Sequence, residues 1–124
     1  MTQNKLFRNL FGAFIMALVF TVTAAAQDKA AEGAKAVTTA MKEQLTLNDA
    51  QYTKVYDVNL TFLQKAQKNS EAGGTKQDRT KKLRALEDER ETKLKSVLTE
   101  TQYKMFAATR ANNNTKLRQY FQSK

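Results

Sequence analysis

Two kinds of hydrophobic pattern divide the chain. The first is an apolar run from Leu10 to Val22, with Lys5 and Arg8 before it and Ala24-Ala25-Ala26 after it. A short basic start, an apolar centre and small residues ahead of the polar Gln27 and Asp28 follow the order of a secretory signal. The run falls short of the ~20 residues that a membrane-spanning helix needs. The pattern predicts a signal peptide over residues 1–26, cleaved after Ala26, and one domain over residues 27–124.

Beyond residue 27 the apolar positions recur at three- and four-residue steps, the period of amphipathic helices. Ala34, Val37, Met41 and Leu45 predict a helix over residues 30–45. In the segment Leu47-Asn48-Asp49-Ala50-Gln51, Asn48 can cap a second helix while Gln51 reaches back to the cap. That helix carries Tyr52, Val55, Tyr56, Phe62, Leu63 and Ala66 on one side, interrupted by Asn59, and runs out near Asn69. Gly73-Gly74 marks a loop. Thr75 and Asp78 cap a third helix that runs to Leu98, with Leu83, Leu86, Leu94 and Val97 as its stripe and Arg90 in the missing turn. On its outer face Glu89–Lys93 and Glu91–Lys95 stand in the favourable acid-before-base order. Thr99 and Gln102 cap a fourth helix bearing Tyr103, Phe106 and Ala107. The run Asn112-Asn113-Asn114 invites a bend or a fray, because asparagine is a poor helix-interior residue. A separate short helix after Asn114, bearing Leu117, Tyr120 and Phe121, is the alternative to one continuous helix.

Composition strengthens the all-α reading and narrows the chemistry. Proline is absent from the chain, and beyond residue 27 glycine occurs only at Gly33, Gly73 and Gly74, so little interrupts long helices. There is no cysteine for disulfides or for lipid attachment at the cleavage point. A 98-residue domain without cross-links has a modest core, which predicts a partner subunit and hence a homodimer. Without histidine or cysteine, and with only Met41 and Met105 beyond the signal, no cofactor and no metal site are expected. Glu87 and Glu91, the nearest approach to an acid pair, sit among lysines and arginines and read as surface ion-pair partners. The serines have no nucleophile setting, so the chain is not read as an enzyme.

The two cap segments align at an offset of 51 residues, Leu47 on Leu98, Gln51 on Gln102 and Tyr52 on Tyr103. The chain therefore looks like two related helical hairpins. A Leu-Thr-x-x-Gln segment, intact at Leu98–Gln102 and varied at Leu47–Gln51, on an exported, basic, helical chain resembles the Spy/CpxP family of periplasmic proteins, in which the motif occurs twice. The resemblance spans roughly residues 30–121. It implies an elongated, curved pair of helical hairpins forming a homodimer in the periplasm. It also implies a role as an ATP-independent chaperone under envelope stress, or as an adaptor on the sensor domain of a stress kinase.

Within the motif, Leu47 and Leu98 read as core residues, and Asn48, Gln51, Thr99 and Gln102 as caps before contacts. Charge suggests a different binding surface. Only Lys5 and Arg8 precede residue 27, so the domain keeps 19 basic against 12 acidic residues, a formal +7. Residues 101–124 contain no acid and include Lys104, Arg110, Lys116, Arg118 and Lys124. Positive charge beside aromatic side chains suits capture of unfolded acidic chains, by attraction first and apolar retention afterwards. Lys104, Arg110, Lys116, Arg118, Tyr120 and Phe121 are the candidate client contacts, with Phe62, Tyr103 and Phe106 divided between that role and the core. The expected partners are unfolded envelope proteins or a sensor-kinase domain. Weak contact with an anionic membrane surface is a lesser expectation. Nucleic acid, which such a charge would bind nonspecifically, is set aside on the grounds of export.

Overall fold

The structure is a computed structural model that describes residues 24–122. The predicted signal over residues 1–26 lies outside them except for Ala24–Ala26. Four helices follow one another: α1 (Ala24–Leu45), α2 (Asp49–Glu71), α3 (Lys76–Val97) and α4 (Glu100–Gln122). The described residues contain no strand, and the fold is all-α as expected.

The starts of α2, α3 and α4 are made by their caps. Asn48 Oδ1 accepts from the Gln51 amide at 2.8 Å while Gln51 Oε1 accepts from the Asn48 amide at 3.1 Å, a complete capping box. Thr99 and Gln102 repeat it, at 3.2 Å and 2.9 Å. Thr75 Oγ1 caps α3 through the Asp78 amide at 3.1 Å. The α1 terminus is less orthodox. Thr46 takes the left-handed conformation, φ 56°, and the Leu47 amide turns back to the Lys42 carbonyl at 3.3 Å. Glycine or asparagine normally fills that position, and a β-branched residue is strained there. Burial of Leu47 at the next residue helps to hold the turn.

α1 packs on α2 and α4, α2 serves as the wall for α3, and α3 meets α4 only along a thin seam. The α1 stripe Ala34, Val37, Met41 and Leu45 is buried throughout, facing Val55, Phe62, Leu63 and Ala66 of α2 and Phe106, Leu117 and Phe121 of α4. From α3 only Leu86, Arg90 and Leu94 are buried, while Leu83 and Val97 are half-covered. Every buried side chain lies between Ala30 and Phe121, so residues 27–124 contain the whole described core.

α4 continues through the asparagine run, and the separate helix after Asn114 does not form. Tertiary contacts outweigh the local propensity. Asn113 is buried, and Asn114 joins α4 to α3 by accepting from Arg90 at 3.2 Å and donating to Glu87 at 3.4 Å.

α1 and α4 approach closely at Gly33. A Cβ there would lie 2.6 Å from Cγ of Tyr120 and 2.9 Å from Cδ1 of Leu63. Gly33→Ala is expected to cost ~1–3 kcal/mol in overpacking, offset by about 1 kcal/mol of recovered helix propensity. The net result should be a modest drop in thermal midpoint, smaller again in a Tyr120→Ala background. A raised midpoint, the helix-propensity gain with no clash against it, would show that the two helices are not in contact at this point.

Candidate functional site

The two motif segments, 51 residues apart, meet. Gln51 Nε2 donates to Gln102 Oε1 at 2.7 Å, and Gln102 Nε2 donates to Gln51 Oε1 at 3.2 Å. Each amide also reaches the end of the helix preceding the other motif, Gln51 to the Val97 carbonyl at 3.2 Å and Gln102 to the Leu45 carbonyl at 3.2 Å. One side chain thus completes its own cap, satisfies an orphan carbonyl of the opposite hairpin and grips its counterpart. Leu47 and Leu98 are buried beneath this junction, with Asn48 and Thr99 exposed as caps. Lys42 stands over the Tyr52 ring at 5.4 Å and Lys95 over the Tyr103 ring at 5.7 Å, so the cation–π surroundings are duplicated too. The motif residues form a clasp between hairpins.

A second polar assembly crosses the middle of the helices. Asn59 and Arg90, the two interruptions in the apolar stripes of α2 and α3, face each other: Arg90 Nε donates to Asn59 Oδ1 at 2.8 Å. Asn59 Nδ2 donates to Thr38 Oγ1 of α1 at 2.9 Å, and Arg90 also reaches Asn114 of α4. The guanidinium lies 5.8 Å from the Phe62 ring centre and 5.5 Å from that of Phe106. No carboxylate pairs with it directly. Desolvation pushes its pKa down to about 10, opposed by the charges of Glu91 and Glu87. It therefore stays charged at neutral pH, and four helices share one buried cation.

Those two glutamates close the α3–α4 seam. Glu91 takes Arg110 at 2.7 Å instead of the expected Lys95, and Glu87 takes Arg118 at 3.5 Å. On the other flank Glu89 is held by Lys65 of α2 at 3.0 Å and by Lys93 at 3.3 Å, as the i,i+4 spacing predicts. The hydrogen bond from Lys65, with that from Lys93 beside it, holds the Glu89 carboxyl below its ordinary value of 4.5. A carboxylate depressed in the folded state stabilises above its unfolded pKa and loses that contribution as pH falls through the folded value. Glu89→Gln should therefore lose stability less steeply below pH 4.5 than the wild type. Parallel acid curves would remove Glu89 from the account.

The candidate client contacts do not form one patch. Lys104 sits near the clasp, exposed and 4.0 Å from Glu100. Arg110 and Arg118 are drawn into the seam, and Lys116 is exposed. Tyr120 is half-buried over Gly33. Phe121, expected as a contact, is only 7% exposed and meets the edge of Phe62 at 6.1 Å, because the continuous α4 carries it back onto the core. Phe62 and Phe106 are core residues as well.

Sequence reasoning passed over a denser basic surface. In residues 76–84, Lys76, Arg79, Lys81, Lys82 and Arg84 stand against Asp78 alone, and none of these side chains is buried. Charge density per turn would have found it, where the longest acid-free stretch did not. Among the described residues no helix is long and apolar enough to span a membrane, and no group of three or more His, Cys, Asp or Glu side chains is arranged to hold a metal ion.

These features define an all-α protein of two helical hairpins clasped through a duplicated capping motif. The chain belongs to the family described as a domain of unknown function, DUF4890, whose model matches residues 22–106 and so covers both motif segments. No curated protein and no solved structure matches it.

Proposed function

We propose that the chain is an exported, periplasmic, ATP-independent holding chaperone similar to the Spy/CpxP proteins, binding unfolded or stress-damaged envelope proteins through a basic, partly apolar surface. The observation that carries the reading is the run of five bases, none of them buried, on the first half of α3, beside half-covered apolar side chains such as Leu83. Long-range attraction speeds the encounter with acidic unfolded chains, and apolar contact slows their release. The duplicated motif adds support through the likeness of the two hairpins, although its own residues are occupied in the clasp.

The test is light scattering from an unfolding model protein with and without residues 27–124, at low and moderate salt. A holding chaperone suppresses scattering from several unrelated proteins near stoichiometric ratio, and loses effect as salt screens the attraction. Absence of suppression at any ratio, with tight binding to one folded sensor domain, would replace the reading with that of a regulatory adaptor.

A further inference from the structure

The first half of α3 stands away from the core. None of residues 76–85 is buried, whereas Leu86, Arg90 and Leu94 seat the second half. Where α3 lifts, a groove of about 270 Å³ opens between α2, α3 and the end of α4. Leu83 and the remaining exposed edge of Phe121 give it an apolar floor over the fully covered Ala66, and Lys76 and Arg79 form a cationic rim. The local polar groups are largely used internally. Asn69 Nδ2 donates to the Arg79 carbonyl at 2.9 Å, Ser70 Oγ donates to the Gln67 carbonyl at 2.7 Å, and Arg79 reaches the Gly74 carbonyl at 2.9 Å. What the groove offers an incoming molecule is apolar contact under positive charge.

The geometry points to this groove as the seat for an extended peptide segment that alternates apolar and acidic side chains. The proposal rests on the chaperone reading and specifies where a client is held. An apolar side chain enters the floor while the neighbouring carboxylates meet Lys76 and Arg79, with Lys81, Lys82 and Arg84 extending the attraction along α3. A second copy of this chain is a poor occupant. A two-fold contact brings the same patch onto itself, and here that sets five bases against five.

The test uses residues 27–124, which contain the whole described core. Fluorescence anisotropy follows a labelled peptide of alternating Leu and Glu, with a Leu–Lys peptide of the same length as control. The double variant Lys76→Glu, Thr80→Glu alters two exposed groove-lining positions. The variant Lys54→Glu, Thr101→Glu makes the same charge change at exposed sites in the first two turns of α2 and α4. The proposal expects the acidic peptide alone to bind, about tenfold more weakly to the groove variant and nearly unchanged to the control. Equal loss in both variants would overturn it in favour of a diffuse charge effect. Binding of phosphatidylglycerol vesicles without the peptide would overturn it in favour of a lipid surface. Scattering assays on the same proteins separate the two layers: a groove variant that loses the peptide but still suppresses aggregation removes the groove as client seat and leaves the chaperone reading standing. A wild type that binds the peptide at the groove but suppresses nothing overturns the chaperone reading alone.

Discussion

Arg90→Ala should lower the unfolding free energy by ~2–4 kcal/mol in urea, because truncation empties space between Phe62 and Phe106 and strands the side-chain oxygens of Asn59 and Asn114. The loss is less than the removal of contacts alone would suggest. A guanidinium whose pKa is pushed down to about 10 by burial carries a desolvation cost on the order of 3 kcal/mol, and that cost disappears with the side chain. The sign fixes what to expect of pH. A base depressed in the folded state penalises folding while it is charged, and the penalty is relieved only as pH rises above about 10. Near neutrality it is present in full, so Arg90 introduces no pH dependence there.

The double replacement Arg90→Met, Asn59→Leu separates cost from benefit. It removes the Arg90–Asn59 donor and acceptor together and keeps much of the volume, leaving only Asn114 Oδ1 and Thr38 Oγ1 short of a partner, so it should be less destabilised than the two single changes summed, while Arg90→Met alone also leaves Asn59 Oδ1 unpaired. If the two single losses simply add in the double variant, Arg90 and Asn59 are not partners. What the buried cation gains for the fold is register. It bonds to α2 and α4, and through Asn59 to Thr38 of α1, so sliding any one helix breaks a bond that no neighbouring position replaces.

The contrast between those residues and their surroundings explains what was legible in the sequence. Ala34, Val37, Met41 and Leu45 were readable because helical period and burial are the same fact on a two-sided helix, and all four are at most 3% exposed. The caps were readable because a capping box lies within four residues of chain. Asn59 and Arg90 were each seen as gaps in a stripe, but that the gaps face each other is a relation between helices, which no local pattern contains. Asn112-Asn113-Asn114 misled for the same reason: propensity argues for a break, and the partners that overrule it, Arg90 and Glu87, lie more than twenty positions away in the chain. Thr46 carries no glycine signal for its left-handed backbone. The basic turns over residues 76–84 were passed over because acid-free length is a poor guide to charge density: they hold five bases against one acid, whereas Arg110 and Arg118 find glutamates on α3.

The clasp is where sequence and structure agree in residue but differ in role, and it can be measured directly. Gln102→Ala should cost ~2–3 kcal/mol, since the one side chain accepts from Thr99 and Gln51 and donates to Leu45 and Gln51, each such bond being worth about 0.5–1.5 kcal/mol where water partly competes. Gln51→Ala should cost a similar amount by the same count. If these residues served only as local caps, their losses would add, because two capping boxes 51 residues apart share nothing. Because the amides grip each other, the double variant should be less destabilised than the sum by ~1 kcal/mol, the worth of the bonds that either single change already removes. Additivity in urea unfolding would reduce the motif to two independent helix starts. Coupling would make it the joint that holds one hairpin on the other, and would explain from mechanics alone why the same five-residue pattern stands twice in the chain.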